Sequence, residues 1–192
     1  MEPEKTFKSN SQKNKHTDDL IDHYWGSIDY VSGLIKASEI KAGLILSFYG
    51  ILLNFTYKYL ETVLAEGVSH LYIYVLLTAW FLCTATSIYF SVRCFMPRIE
   101  AKYEKNIFFF GDIISKFGTV KEFAKTFHKI SSDEDQLFDQ LGQQIFIISK
   151  IASYKFSCVN KDLRYLAFGF WLVIIISNYG KFCNSYTLNA IL

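Results

Sequence analysis

The sequence predicts an all-α membrane protein: about three transmembrane helices, long helices extending into a cytosolic helical bundle, and assembly into an oligomer. Hydrophobic residues make up 51% of the 192 residues and charged residues only 20%, a low charge content for a water-soluble domain. Only two prolines occur in the chain, so few helices are forced to break. Residues 71–92 carry no charge, and as a helix of about 33 Å they would cross a hydrocarbon core of about 30 Å.

Two further apolar segments flank this strong one. The segment 42–60 contains Lys58, whose long side chain can reach the membrane interface, and the segment 165–182 contains Lys181 near its end. Taken alone, each segment is also compatible with a buried helix of a soluble protein. Beside the strong span at 70–92, both are predicted to span the membrane.

The distribution of basic residues predicts the orientation. Of the 20 lysines and arginines, six precede residue 42 and twelve lie in 93–164, whereas the 58–70 loop and the tail hold one each. Since basic residues accumulate on the cytosolic side, we expect a multi-pass protein of the inner membrane with a cytosolic N-terminus. The predicted order is a disordered lead (1–15), a cytosolic amphipathic helix (16–41), the first span (42–60), an outside loop (61–69), the second span (70–92), a cytosolic helical region (93–164), the third span (165–182) and an outside tail (183–192).

Two amphipathic stripes predict long cytosolic helices that continue into the first and third spans. Their apolar residues recur at helical spacing and are Leu20, Tyr24, Ile28, Val31 and Ile35 in the first stripe, and Leu137, Leu141, Ile145, Ile148 and Ile151 in the second. Ser131 and Glu134 match a capping box that would start the second helix. A shorter amphipathic helix is expected over 120–130, and the apolar run 106–114 is expected either at the lipid interface or in the cytosolic core. Sustained stripes of this kind favour bundling of helices, and hence a homo-oligomer.

The sequence gives no support for an enzyme or a metal site. It contains no nucleophile elbow, phosphate-binding loop, dinucleotide fingerprint or kinase signature, and its cysteines and histidines lack metal-ligand spacing. We therefore expect no catalytic residues, no metal and no cofactor. A net charge of +2 gives no reason to expect binding to a nucleic acid duplex.

Small and polar residues follow one face of each of the first two spans. Two interpretations remain open at this stage: close packing of helices through small residues, or the polar lining of a pore in an oligomer. The residues are Gly43, Ser47, Gly50 and Asn54 in the first span, and Thr84, Ser87 and Ser91 in the second.

Four short motifs resemble those of a known family. Residues 35–43 read I-K-A-S-E-I-K-A-G, similar to the family's K-x-A-D-x-K-A-G. Met96-Pro97-Arg98 is followed by F-F-G-D-I at 109–113, similar to P-R and Y-F-G-x-I. Further on, D-Q-L-G-Q-Q-I at 139–145 and K-I-A-S-Y-K at 150–155 are similar to D-L-x-x-Q-I and K-I-A-x-x-K. In this order and spacing, from about residue 26 to 182, the chain resembles the Pycsar-type transmembrane effectors of bacterial antiphage defence.

The resemblance implies a membrane effector whose regulatory ligand is a nucleotide second messenger, made by a partner cyclase or nucleotidyltransferase. It implies that the activated effector compromises the bilayer and arrests or kills the infected cell. The region 93–164 would then be the sensor. Glu39 stands where the family has aspartate, and its side chain is one methylene longer.

The resemblance also suggests ligand-binding residues. Three lysines would contact phosphate, and one glutamine would contact a base or a neighbouring subunit. Two acids would pair with the lysines. In this order they are Lys41, Lys150 and Lys155; Gln144; Asp112 and Glu39. The alternative for each lysine is a solvated charge or a membrane-proximal anchor, and Lys41, which flanks a span, fits an anchor best.

The leading hypothesis is an oligomeric pore, channel or membrane-disrupting protein gated by a nucleotide through its cytosolic helices. In one variant the nucleotide opens it. In the other a bound nucleotide or oligonucleotide holds it closed, and loss of that ligand opens it. A second class of function is a membrane assembly or scaffold protein without a signal.

Overall fold

All regular secondary structure in the described residues is helical, as the sequence predicts. The computed structural model describes residues 3–65, 71–96 and 104–191, with side chains described for 15–58, 71–96, 104–176 and 178. The helices are α1 (Pro3–Ala65), α2 (Leu71–Phe95), α3 (Phe110–Ser115), α4 (Val120–Ser131) and α5 (Glu134–Ile191).

Helices α1 and α5 are continuous over 63 and 58 residues. No proline follows Pro3 within α1 and none occurs in α5, so neither helix loses a backbone donor or meets a ring clash. The prediction that each amphipathic stripe continues into an apolar segment within one helix is confirmed. The structure differs from the sequence analysis at the lead, because residues 3–15 belong to α1, where disorder is predicted. The lysines, glutamate and glutamine of this lead are good helix formers.

The chain divides into two compact units. Unit 1 comprises Met1–Lys36 and Pro97–Ser153, and unit 2 comprises Ala37–Met96 and Tyr154–Leu192. In unit 1 the two predicted stripes pack on each other around Ile28, Leu141 and Ile148. Tyr24 and Phe138 add a ring contact with centroids 5.4 Å apart. The stripes therefore form one core.

The segment between α2 and α5 packs into unit 1. Ile107 is only 1% exposed and contributes to the core, whereas Phe110 and Ile114 of the same 106–114 run are 76% and 73% exposed, so the run has one buried and one exposed face. Gly118 joins α3 to α4 with φ of 66°, a left-handed conformation that favours glycine. Thr119 and Glu122 form a capping box at the start of α4, and the hydrogen bonds from Thr119 lower the pKa of Glu122 below its usual range.

The start of α5 corrects one detail of the sequence analysis. Ser131 is the last residue of α4, so it cannot cap α5 with Glu134. Asp133 caps the helix instead, because the backbone N–H of Gln136 donates to Asp133 Oδ1 (3.1 Å) and the Gln136 side chain donates to Oδ2 (2.6 Å). The Glu134 carboxylate accepts from Thr17 Oγ1 (2.6 Å) on α1.

Two helical stretches of the described chain, Lys15–Lys58 and Leu71–Phe95, are long and apolar enough to cross a membrane. In each, only 17% of the most apolar window is buried, whereas the core helix of a soluble protein is mostly buried. The predicted third span, 165–182, lies within α5 but is not one of these stretches, and it stays a prediction. The predicted outside loop 61–69 begins inside α1, and its residues 66–69 lie outside the described chain.

Candidate functional site

Helices α2 and α5 contact each other through a repeat of seven residues in unit 2. The Trp80 ring lies beside Gly169, Ser87 donates to Asp162, and Cys94 accepts from Lys155. Each step covers seven residues forward on α2 and seven backward on α5, so the helices are antiparallel and in one register. A seven-residue spacing keeps all contacts on one face of each helix. We call these six residues the α2–α5 ladder.

Asp162 is the central acid of the ladder and is fully buried. Ser87 Oγ donates to Asp162 Oδ1 and Ser91 Oγ donates to Oδ2. Ser87 Oγ also lies 3.1 Å from the Asp162 backbone oxygen. A buried carboxyl group is costly unless its oxygens are hydrogen-bonded, and here each oxygen receives a hydroxyl. The serines of α2 thus hold the acid of α5 inside the unit.

Further polar atoms are buried close to this acid. Tyr49 of α1 lies beside Ser87, but its hydroxyl makes no hydrogen bond of good geometry, and Thr84 Oγ1 and Trp80 Nε1 also lack a partner among the described residues. Unpaired buried polar groups are costly. The interior of unit 2 therefore contains a polar strip within an otherwise apolar set of helices.

Lys155 forms the last step of the α2–α5 ladder, at the C-terminal end of α2. Its ammonium donates to Glu39 Oε1 and to the Cys94 backbone oxygen, both at 2.6 Å. The Cys94 oxygen lies in the last turn of α2, where carbonyls lack helical partners and attract cations. Lys155 is 5% exposed. The structure therefore gives it a bridging role between α1, α2 and α5, and phosphate could reach it only after rearrangement.

Asp112 belongs to a hydrogen-bond network in unit 1. It accepts from the Asn106 N–H through Oδ2 (3.0 Å) and pairs with Lys116 through Oδ1 (2.8 Å). Asn106 donates to the Gln140 backbone oxygen (2.7 Å), and the Gln140 side chain accepts from Ile107 N–H (2.9 Å). With Asp112 2% exposed and Asn106 fully buried, this network attaches the 106–112 segment to α5.

The remaining predicted ligand residues lie in different surroundings. Gln144 is 8% exposed, and its Oε1 has no partner among the described residues. Lys41 is exposed, and its ammonium lies 6.0 Å from the centre of the Phe156 ring. Lys150 is exposed on α5. Of the six predicted residues, the structure brings Glu39 and Lys155 into direct contact.

The two polar stripes face opposite environments. Thr84, Ser87 and Ser91 are all buried inside unit 2, which for this stripe favours packing over a pore lining. Ser47, Gly50 and Asn54 of α1 are exposed, and a methyl group added at Gly50 would meet nothing within 4 Å. Ser47 donates only to the Gly43 backbone oxygen of its own helix (3.0 Å).

The sequence analysis missed the residues that organise these contacts. Asp162 stands three residues before the third apolar segment. The seven-residue spacing from Lys155 to Asp162 is the signal that could have placed both on one face. Asn106 and Gln140 gave no comparable signal, since their partners are backbone groups. Among the described residues, no group of three or more histidine, cysteine or acidic side chains could hold a metal ion.

Comparisons with known proteins cover both units. The family model described as Pycsar effector protein domain matches residues 23–179. The chain is 28% identical over 161 residues to the Pycsar effector protein SaPycTM of Staphylococcus aureus, covering 81% of this chain and 92% of that protein. It is 24% identical over 145 residues to the Pycsar effector protein PtPycTM of Propioniciclava tarda, covering 72% of this chain and 69% of that protein. No solved structure matches.

Proposed function

The chain belongs to the Pycsar effector family, which makes it an antiphage defence effector with a transmembrane part, and from that premise we propose how it acts. It resides in the inner membrane as a multi-pass protein, with its N-terminus and residues 93–164 in the cytosol. A nucleotide second messenger from a partner cyclase or nucleotidyltransferase binds the cytosolic region. An oligomeric pore or lesion then forms in the bilayer, and the cell stops growing or dies.

The observation that carries this proposal is the distribution of polarity in unit 2. Large apolar side chains of its helices are exposed, among them Leu44 (66%), Phe55 (67%), Leu82 (61%) and Trp171 (64%). The charged pair Glu39–Lys155 and the acid Asp162 have their partners inside the unit. Since exposed apolar surface of this extent is unfavourable in water, unit 2 suits a lipid environment.

The outward stripe of α1 supports an oligomer. Asn54, Gly50 and Ser47 are exposed on a helix whose other exposed residues include Phe48, Ile51 and Phe55. A polar amide in hydrocarbon is unfavourable without a partner, and small residues allow close approach of helices. Contact with a second copy, or with water in a pore formed by several copies, would satisfy this face.

The proposed mechanism requires binding and movement but no bond-making step. Helices α1 and α5 each supply residues to both units, so binding to one unit acts on helices that are covalently part of the other. We propose that the nucleotide opens the oligomer, with no further cofactor. In the opposite variant a bound nucleotide keeps it closed.

The deciding experiment is dye and potassium flux from liposomes that contain the purified full-length chain. A panel of cyclic mononucleotides is added in one arm, and in the other the protein is prepared with each nucleotide, which is then removed by dilution. Flux on addition supports opening by the nucleotide, and flux on removal supports the opposite variant. If neither arm gives flux and no nucleotide of the panel binds, the proposed function fails.

A further inference from the structure

Unit 1 contains a cavity on the surface of α5 that none of the contacts described so far explains. It has a volume of about 380 Å³ and is lined by Glu104, Gly142, Gln143, Phe146 and Ile147. Phe146 is 59% exposed despite its large apolar ring. Lys150 follows Phe146 by one helical turn and is exposed, so both lie on the same face of α5.

The residues of this cavity differ in chemistry along the helix. At one end Glu104 has a carboxylate, which can only accept hydrogen bonds, and Gln143 has an amide. The Gln143 amide nitrogen donates to Asp139 Oδ2 (2.9 Å), which leaves its oxygen as an acceptor. Phe146 occupies the middle. At the other end Lys150 carries a positive charge, about 10 Å along the helix from Gln143 at 1.5 Å per residue.

From this order of groups we infer that the cavity binds the regulatory nucleotide. This inference rests on the proposed function. The base stacks on Phe146, as bases do on exposed aromatic rings, and the phosphate points to Lys150, which attracts anions. Glu104 and the Gln143 oxygen accept from an exocyclic amino group of the base or from a sugar hydroxyl.

The size of the cavity is sufficient for a nucleotide. A volume of about 380 Å³ lies at the small end of the range for small-molecule sites, roughly 300–1,000 Å³. The cavity therefore has room for one nucleotide unit. The negative charge of Glu104 also disfavours a second phosphate at that end, because like charges repel.

This site differs from the one suggested by the family motifs. Gln144 and Lys155 are at least nine-tenths buried, whereas Gln143, Phe146 and Lys150 line or flank an open cavity. Gln143 precedes Gln144 by one position, so the cavity lies on the adjacent face of the same helix. Of the six ligand-binding residues that the resemblance suggests, Lys150 alone belongs to the new site.

The test is equilibrium binding of four labelled 3′,5′-cyclic mononucleotides, of cytosine, uracil, adenine and guanine, to full-length protein in lipid nanodiscs. For the nucleotide that binds best, Phe146→Ala and Lys150→Ala should each weaken binding about tenfold. Phe146→Trp should restore it, because the ring is retained. Phe110→Ala and Lys121→Ala, which change exposed residues of unit 1 outside the cavity, should bind as the wild type does.

The Glu104→Gln variant shows whether the base or the sugar of the nucleotide contacts the Glu104 carboxylate. A loss of preference for amino-bearing bases over uracil supports contact with the base, and an equal loss for all four supports contact with the sugar. The site inference is overturned if the wild type binds but the Phe146, Lys150 and Glu104 variants bind equally well, and the proposed function then stands. A wild type that neither binds nor leaks removes both. Unchanged melting temperatures of the variants establish that they fold.

Discussion

The two candidate membrane helices, α1 and α2, carry stripes that are similar in sequence but opposite in position. Both place small polar residues at spacings of three and four. The α2 stripe of Thr84, Ser87 and Ser91 is buried against α5, whereas the Ser47, Gly50 and Asn54 face of α1 is exposed. The difference shows that the spacing of small residues marks a contact face but does not identify the partner that the face contacts. For α2 the partner is α5, because Asp162 accepts hydrogen bonds from the stripe.

The largest effect on stability is expected from a bulky substitution in the buried stripe of α2. Ser87→Leu adds volume at a fully buried position and removes a donor from Asp162, so it should destabilise unit 2 by about 3 kcal/mol or more. The same change on the outward stripe, Ser47→Leu, should stay within about 0.5 kcal/mol. Unfolding of both variants in mixed micelles measures this contrast, and equal destabilisation would contradict the assigned positions.

A second, smaller effect is expected at the acid. Asp162→Ala leaves two buried serine hydroxyls without their acceptor and should lower the free energy of unfolding by about 1–3 kcal/mol. Asp162→Asn keeps the shape and one acceptor oxygen and should lower it less. The exposed neighbour Asn160 supplies the matched control, Asn160→Ala. The same unfolding assay should show the largest loss of stability for Asp162→Ala, a smaller loss for Asp162→Asn and the smallest for Asn160→Ala.

The ion pair at the end of the ladder should contribute less again. A double-mutant cycle with Glu39→Gln and Lys155→Met should give a coupling energy of about 1 kcal/mol or below, because Glu39 is 37% exposed and solvent screens the pair. Lys155→Met alone should cost more than Glu39→Gln alone, since it also leaves the Cys94 oxygen without its donor. The reverse order would place Lys155 outside the ladder.

The smallest effect on stability is expected for single cysteine substitutions in the two stripes. They test which stripe is exposed, because the reactivity of each cysteine can be measured. In a background with the native cysteines replaced by serine or alanine, Asn54→Cys in nanodiscs should react with a small membrane-permeant maleimide when copies of the chain form a water-filled opening along this stripe, because the reactive thiolate forms only in contact with water. Thr84→Cys should be protected. If oligomers form through α1, oxidant should also cross-link Asn54→Cys or Gly50→Cys between copies. A protected Asn54→Cys without any cross-link would mean that lipid or another surface of the same copy, not a second copy, covers this stripe.

The sequence predicts much of the fold because the relevant signals are local. The α1 and α5 stripes, the α4 pattern and the apolar second span all follow from spacing within one helix, and they are present in the structure. The lead 3–15 and the cap of α5 differ because two local signals competed there. Lysine-rich composition favours disorder and yet forms helix, and Ser131 and Asp133 both suit a cap.

The candidate site is less predictable because its contacts join distant parts of the chain. Lys155 contacts Glu39 across 116 positions and Cys94 across 61, so no local pattern shows that it is buried. The motif resemblance pointed to Glu39 and Lys155 but gave no geometry, and their role in ligand binding stays a prediction. The cavity at Phe146 joins Glu104, outside any helix, to α5, and such a pairing is set by tertiary packing alone.

The constant seven-residue step of the α2–α5 ladder restricts how these two helices can move. Sliding by one turn would separate the Cys94 oxygen from Lys155, although Thr84 or Ser91 would still offer Asp162 a hydroxyl. Sliding by a whole repeat, about 10 Å, would place Asp162 opposite Cys94 or Trp80, neither of which offers a hydroxyl. The Lys155 contact therefore opposes a shift of one turn, and the lack of a hydroxyl at Cys94 and Trp80 opposes a shift of a whole repeat. In the proposed oligomeric pore, the opening is therefore expected at the boundary between copies, along the exposed Ser47, Gly50 and Asn54 face of α1, because the α2–α5 ladder holds the interior of each copy together.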